Sequence, residues 1–90
     1  MSIEFDPAKE AANLKKHGVS LEEGVTVLLD PLALVREDGD AEGEQRLVAV
    51  GMSGQGRLLV LVWTLRGESL RPISARKATK KEVKDYEKGI

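Results

Sequence analysis

The chain has 90 residues, 41% of them apolar and 32% charged, which suits one globular domain over residues 1–90 with one modest core and excludes two independent cores. There is no cysteine to cross-link, and the single histidine, His17, cannot complete a tetrahedral metal site without several carboxylates around it; a reducing cytoplasm suits such a chain. The longest apolar run, Leu58 to Trp63, is far shorter than the roughly 20 residues of a membrane-spanning helix, and a formal net charge of −1 gives no overall attraction to phosphate.

The opening Met1-Ser2-Ile3-Glu4-Phe5-Asp6 lacks the basic start and long apolar stretch of a secretory signal, so the mature chain is expected to begin at or near Met1. Asp6-Pro7 reads as a helix start: Asp accepts orphan N–H bonds as N-cap, and Pro at the first helical position loses nothing by lacking an N–H. The helix is predicted over Pro7 to His17, ended by Gly18 as a left-handed cap, with Pro7, Ala11 and Leu14 as a narrow inward stripe. Ser20 and Glu23 form a capping-box pattern that predicts a second helix over Leu21 to Leu28, terminated by Asp30-Pro31.

From residue 32 the periodicity changes. Leu32 to Arg36 is a short predicted strand, and Asp38 to Glu44, with two Gly and four acids, has the composition of an exposed loop. Arg46 to Gly51 and Arg57 to Leu65 read as a hairpin around Met52 to Gly56, and a turn at Arg66-Gly67 leads into a strand over Ser69 to Arg76. Leu58 to Trp63 has no polar alternate face, which predicts a central strand covered on both sides. Pro72 removes a ladder N–H, so its strand lies at an edge or carries a bulge. Thr79-Lys80-Lys81-Glu82 is a second capping box, opening a last helix to about Lys88 with Val83 and Tyr86 on one face. The fold class is α+β: two N-terminal helices, an antiparallel sheet of three to four strands, and a C-terminal helix.

The total charge hides an uneven distribution. Residues 1–56 carry 5 Lys and Arg against 11 Asp and Glu, whereas residues 57–90 carry 9 against 4. The C-terminal third can therefore present a basic surface to phosphates, unless its charges average out in space. On the first helix, Lys9, Asn13, Lys16 and His17 fall within roughly 100° of one another. Such a stripe is either the solvated side of an amphipathic helix or a phosphate-contacting, proton-transferring face; His17 at the last turn also suits the free carbonyls there.

A second constellation is Arg71-Pro72-Ile73-Ser74-Ala75-Arg76, followed by a helix carrying Glu82 and Tyr86. Guanidinium forks hold phosphate oxygens bidentately and stabilise charge developing on phosphorus. Arg71 and Arg76 are an odd number of residues apart, so a regular strand points them to opposite faces; either a bulge at Pro72 re-aims one, or only one serves a site. A salt bridge to Glu82 or another carboxylate accounts equally for Arg76, the capping box accounts for Glu82, and core packing accounts for Tyr86. Gly51, Gly54 and Gly56 have the wrong spacing for a phosphate loop, nothing marks a nucleophile elbow, and the acids of residues 37–44 sit in a loop unsuited to a metal centre, so no cofactor or metal is expected.

Taken in order, Phe5-Asp6-Pro7-x-Lys9-x-x-x-Asn13-x-x-Lys16-His17-Gly18-Val19, then Glu44-x-Arg46, then Ile73-Ser74-Ala75-Arg76-x-Ala78-x-x-x-Glu82-x-x-x-Tyr86 resemble the BrnT-type toxin family. The matches span nearly the whole chain. Pro72 stands where such sequences usually carry an aliphatic or aromatic residue, and Leu21 where Phe is frequent. The resemblance implies a RelE-like fold and an RNA-cleaving, growth-slowing toxin, neutralised by a BrnA-like antitoxin whose ribbon-helix-helix portion binds DNA. Contact with DNA is then only indirect, through that partner.

The chemistry expected for such an enzyme is metal-independent: a base takes the RNA 2′-OH proton, the oxygen attacks phosphorus, and an acid protonates the leaving 5′ oxygen. Arg71 and Arg76 are the expected phosphate stabilisers, with Arg46 as a third; Glu82 or His17 is the base; Tyr86 or Lys9 orients or donates, and Lys16 contacts substrate. Three aromatic residues, Phe5, Trp63 and Tyr86, leave little for base stacking. The alternative is an inactive toxin-like module that only binds an antitoxin-like repressor.

Overall fold

The structure is a computed structural model that describes residues 2–39 and 45–89. Most of the loop expected over Asp38 to Glu44, and the motif residue Glu44 itself, lie outside the described residues. In chain order the elements are β1 (Ser2–Ile3), α1 (Pro7–His17), α2 (Leu21–Val25) running into a 3-10 turn (Thr26–Leu29), β2 (Leu34–Glu37), β3 (Arg46–Met52), β4 (Leu58–Arg66), β5 (Ser69–Lys77) and α3 (Lys80–Lys88). The strands form one sheet in the order β1-β5-β4-β3-β2. The pairs from β2 to β5 are antiparallel, as expected, but β1 adds a fifth strand parallel to β5 and makes the sheet mixed. Two residues are too few to show period-2 patterning, so β1 left no trace in the sequence.

Helix α1 begins and ends where its caps require. The Asp6 carboxylate accepts the Ala8 N–H at 2.9 Å, and Gly18, at φ 68°, donates its N–H to the Leu14 carbonyl. The expected inward stripe is wrong: Leu14 is 52% exposed and Ala11 is exposed, while Asn13 is buried. The helix docks on β5 through a polar contact. Asn13 Nδ2 donates to the carbonyls of Val19 and Ala75, both at 2.8 Å, and Asn13 Oδ1 accepts the Ala75 N–H at 3.1 Å. Since β1 pairs only with Ser69 and Leu70, the Ala75 backbone lies beyond its reach, and the Asn13 amide takes the place of a neighbouring strand.

The second helix is shorter than its capping-box pattern suggests. Ser20 Oγ accepts the Glu23 N–H at 2.9 Å, but the Glu23 carboxylate does not close the box. It is buried and turned instead toward the β3–β4 hairpin, accepting from Ser53 Oγ at 2.8 Å and from the Arg57 guanidinium, which holds its pKa below the usual carboxylate range. The chain tightens into the 3-10 turn at Thr26, and Asp30 then forms a turn by accepting the Leu32 N–H at 2.9 Å and the Ala33 N–H at 3.1 Å. Those two bonds delay β2 to Leu34, two residues later than expected.

The core lies between α2 with its 3-10 turn and one face of the sheet, built from Val19, Leu21, Val27, Ala49, Leu59, Leu61, Trp63, Leu70 and Ala75. Each fully buried leucine among them contributes about 1.5–3 kcal/mol. Contact is closest at Gly24, where an added Cβ would sit 2.6 Å from the Ala75 Cβ and 3.3 Å from Leu61 Cδ1. Gly24→Ala gains about 1 kcal/mol of helix propensity but overpacks a rigid contact, which costs about 1–3 kcal/mol. A net loss of stability is expected; an unchanged denaturant midpoint would show that α2 can lift off β5 freely.

Strand β5 carries the bulge that Pro72 suggested. Val62 pairs with Ser74 and Trp63 with Pro72, leaving Ile73 as the extra residue. Helix α3 packs over one end of the opposite sheet face, with Leu34 and Val50 among the residues of a cavity of about 390 Å³ beneath it. Its capping box is complete, Thr79 and Glu82 each accepting the other's backbone N–H. No helix among the described residues is long and apolar enough to cross a membrane.

Candidate functional site

The bulge decides where the two central arginines point. Residues directly opposite in an antiparallel pair share a face, and on β4 Thr64 and Val60 are four residues apart, hence on the same face. Arg71 pairs with Thr64, Ser74 with Val62 and Arg76 with Val60. The extra Ile73 therefore restores an even phase, and Arg71, Ser74 and Arg76 line one edge of the face opposite the core. The same rows continue across β3 and β2: Arg46 opposes Thr64, while Val48 opposes Val62 on one side and Arg36 on the other.

Each β5 arginine is held by a carboxylate from another element. Arg76 makes an end-on bidentate pair with Glu82 on α3, Nη1 to Oε1 at 2.8 Å and Nη2 to Oε2 at 2.9 Å. Glu82 Oε1 also accepts the Thr79 N–H at 2.8 Å. Chiefly because of Arg76, against the opposing effect of burial, its pKa is lowered to about 2. Arg71 Nη2 donates to Glu4 at 3.0 Å, just beyond β1, and this pairing lowers the Glu4 pKa. A guanidinium has five N–H donors, so each pair leaves some for a further oxygen.

Helix α1 runs along the same edge. Lys9, Lys16 and His17, with Ala12 and Asn13, face Ile73 and Ser74 across a cleft of about 230 Å³. The two constellations of the sequence are thus one place: Ser74 belongs both to the arginine row and to the cleft wall. The Asn13 amide is the joint between them, clamping α1 to the residue between Ser74 and Arg76.

Tyr86 stands apart from this set. Its hydroxyl donates to Asp30 Oδ2 at 2.6 Å, which also accepts the Met52 N–H at 2.8 Å. Asp30 is held below its ordinary pKa by Met52, Tyr86 and Leu32, and Tyr86 is pushed up by Asp30. The hydroxyl expected to orient or donate is committed to fastening α3 to the sheet. Arg46 is exposed, two strands away from Arg71 in the same row. Sequence reasoning gave no role to Ser74, Glu4 or Arg36; Ser74 lay inside a quoted motif, whereas Glu4 and Arg36 carried no local signal.

Comparison with known proteins places this arrangement. No curated protein sequence matches the chain. Among solved structures, the ribonuclease toxin BrnT of Brucella abortus is similar, with a TM-score of 0.68 and 26% identity over 89% of this chain and 99% of that one. Residues 5–82 match the family described as the ribonuclease toxin BrnT of type II toxin–antitoxin systems. A match from Phe5, just before the N-cap of α1, to the glutamate that grips Arg76 covers every element except β1 and most of α3, and the chain belongs to the BrnT family of ribonuclease toxins.

Proposed function

We propose that the chain acts as one domain in the cytoplasm, as a metal-independent endoribonuclease whose reaction centre is the Ser74 edge of β5. The observation that carries this reading is the bulge at Ile73, which aligns Arg71 and Arg76 on one face beside the His17 cleft. The scissile phosphate sits over Ser74, between the two guanidiniums, with Lys9 and Lys16 on its α1 side. Both Glu82 oxygens are engaged by Arg76, and a carboxyl with a pKa of about 2 is a poor base at neutral pH. Glu82 is therefore the group that aims Arg76, and His17 carries the proton.

His17 accepts the 2′-OH proton, O2′ bonds to phosphorus, the P–O5′ bond breaks and O5′ takes its proton from Lys9, the candidate donor that remains with Tyr86 bound to Asp30. The products are a 2′,3′-cyclic phosphate and a 5′-OH end. DNA is spared because it has no 2′-OH. The antitoxin partner is BrnA-like, with a ribbon-helix-helix portion that makes the only contact with DNA.

The test is induction of the gene with and without the adjacent antitoxin frame, together with RNA cleavage by the purified protein in EDTA. Growth arrest relieved by the antitoxin, and EDTA-resistant cuts ending in cyclic phosphate, are expected. Cleavage abolished by chelation and restored by a divalent ion would overturn the metal-free mechanism. Antitoxin binding with intact growth and intact RNA would mean an interaction module instead.

A further inference from the structure

Beyond the β5 edge, the same sheet face carries two more guanidiniums in a different electrostatic state. Arg71 and Arg76 are each held by a carboxylate, whereas Arg36 and Arg46 are exposed and make no salt bridge with any described residue. Among the described residues, Arg36 makes one long hydrogen bond, donating from Nη1 to the Glu37 carbonyl at 3.4 Å. Arg36 opposes Val48 on β3, so Arg46, two residues along, is its diagonal neighbour, with side chains about 7–8 Å apart at their bases. Two arginines at that separation can converge on one phosphate from either side.

Their position relative to the proposed reaction centre follows from the register. The row Arg71, Thr64, Arg46 spans two strand spacings, about 10 Å, and the row Ser74, Val62, Val48, Arg36 spans three, about 14 Å. Between the two cationic edges lie Val62, half-buried, and Val48 and Thr64, both buried, so the face there is closed and not a groove. Arg36 shares the cavity beneath α3 with Glu82 and Asp85. Val62, Val48 and Thr64 offer no aromatic ring to stack a base, and Thr64 spends its hydroxyl on the Gln45 carbonyl, so a strand that reaches both edges is held at its phosphates and not at its bases.

We propose that Arg36 and Arg46 form a second phosphate subsite, holding a phosphodiester that flanks the cleavage position on single-stranded RNA. The proposal rests on the ribonuclease reading above, and it makes the enzyme prefer oligonucleotides long enough to cross the sheet.

Binding of a 2′-O-methyl oligoribonucleotide, which cannot be cut, tests it without relying on catalysis. For single strands each phosphate contact contributes about 0.7 to the slope of log affinity against log salt. The doubly substituted Arg36→Ala, Arg46→Ala protein is expected to lose about 0.7 from that slope. Arg36→Lys with Arg46→Lys should restore it, which separates lost charge from lost fold. For a cleavable ten-nucleotide RNA, KM should rise about tenfold in the alanine protein while most of the effect stays out of kcat. An unchanged slope and KM would overturn the subsite. If the parent protein cuts no RNA, the ribonuclease reading fails, and the slope still decides the subsite. If the alanine protein keeps its slope but no longer co-purifies with the antitoxin, the two arginines belong to a protein interface and the subsite is overturned.

Discussion

Arg76→Ala is expected to reduce RNA cleavage by about 10² or more, the scale of losing one preorganised donor to charge developing in a transition state. The guanidinium is rigidly aimed by its two bonds to Glu82, so little reorganisation is needed when phosphate charge grows. Arg71→Ala should cut activity on a similar scale, since the bulge places it on the same face at the other side of Ser74. Arg76→Lys keeps the charge but not the fork, and should recover only part of the loss. Lys88→Ala, at the far end of α3, should change little.

The fold control for Arg76→Ala is favourable. Without the arginine, Glu82 still accepts the Thr79 N–H and the capping box of α3 stays closed. Each variant must keep its thermal midpoint and its antitoxin binding before the loss is assigned to the reaction. Folded Arg71 and Arg76 alanine variants that cut RNA at the parent rate would put the centre elsewhere. The same substitutions would then move to Lys9, Lys16 and His17 across the cleft.

Much of this architecture was legible because caps and strands are local codes. Asp6-Pro7, Gly18 and Thr79 with Glu82 each state their role within four residues, and each sits where that role requires. The odd spacing of Arg71 and Arg76 posed the right question, and Pro72 named the answer, because a bulge is a local event with a local cause. What could not be read are contacts made across the sheet. Nothing near Glu4 announces that it will meet Arg71 from β1, and nothing near Glu23 says that Arg57 and Ser53 will draw it away from its capping box. Periodicity misled on α1, where the apolar spacing of Pro7, Ala11 and Leu14 was real but the docking contact was polar. That the α1 stripe and the β5 arginines meet at Ser74 was hidden for the same reason, since it depends on where the helix lands.

Asn13→Ala is expected to be the most destabilising single change in the neighbourhood of the site. The amide satisfies three backbone groups: the carbonyls of Val19 and Ala75 and the Ala75 N–H. Each is left without its partner in the alanine protein, and a buried polar group so stranded costs about 1–3 kcal/mol. Water can recover part of that at the sheet edge, so a net loss of about 3 kcal/mol is expected, a large share of the 5–15 kcal/mol that such domains possess. Asn13→Asp should be no milder. It retains the acceptor for the Ala75 N–H but loses both donors and turns a carboxylate toward two carbonyl oxygens. Urea denaturation measures the loss as a lower midpoint at constant slope. Cleavage should fall as well, even at a temperature where the variant stays folded, because α1 then no longer fixes Lys9, Lys16 and His17 against Ser74. A midpoint within about 0.5 kcal/mol of the parent would show that α1 is held by something other than this amide.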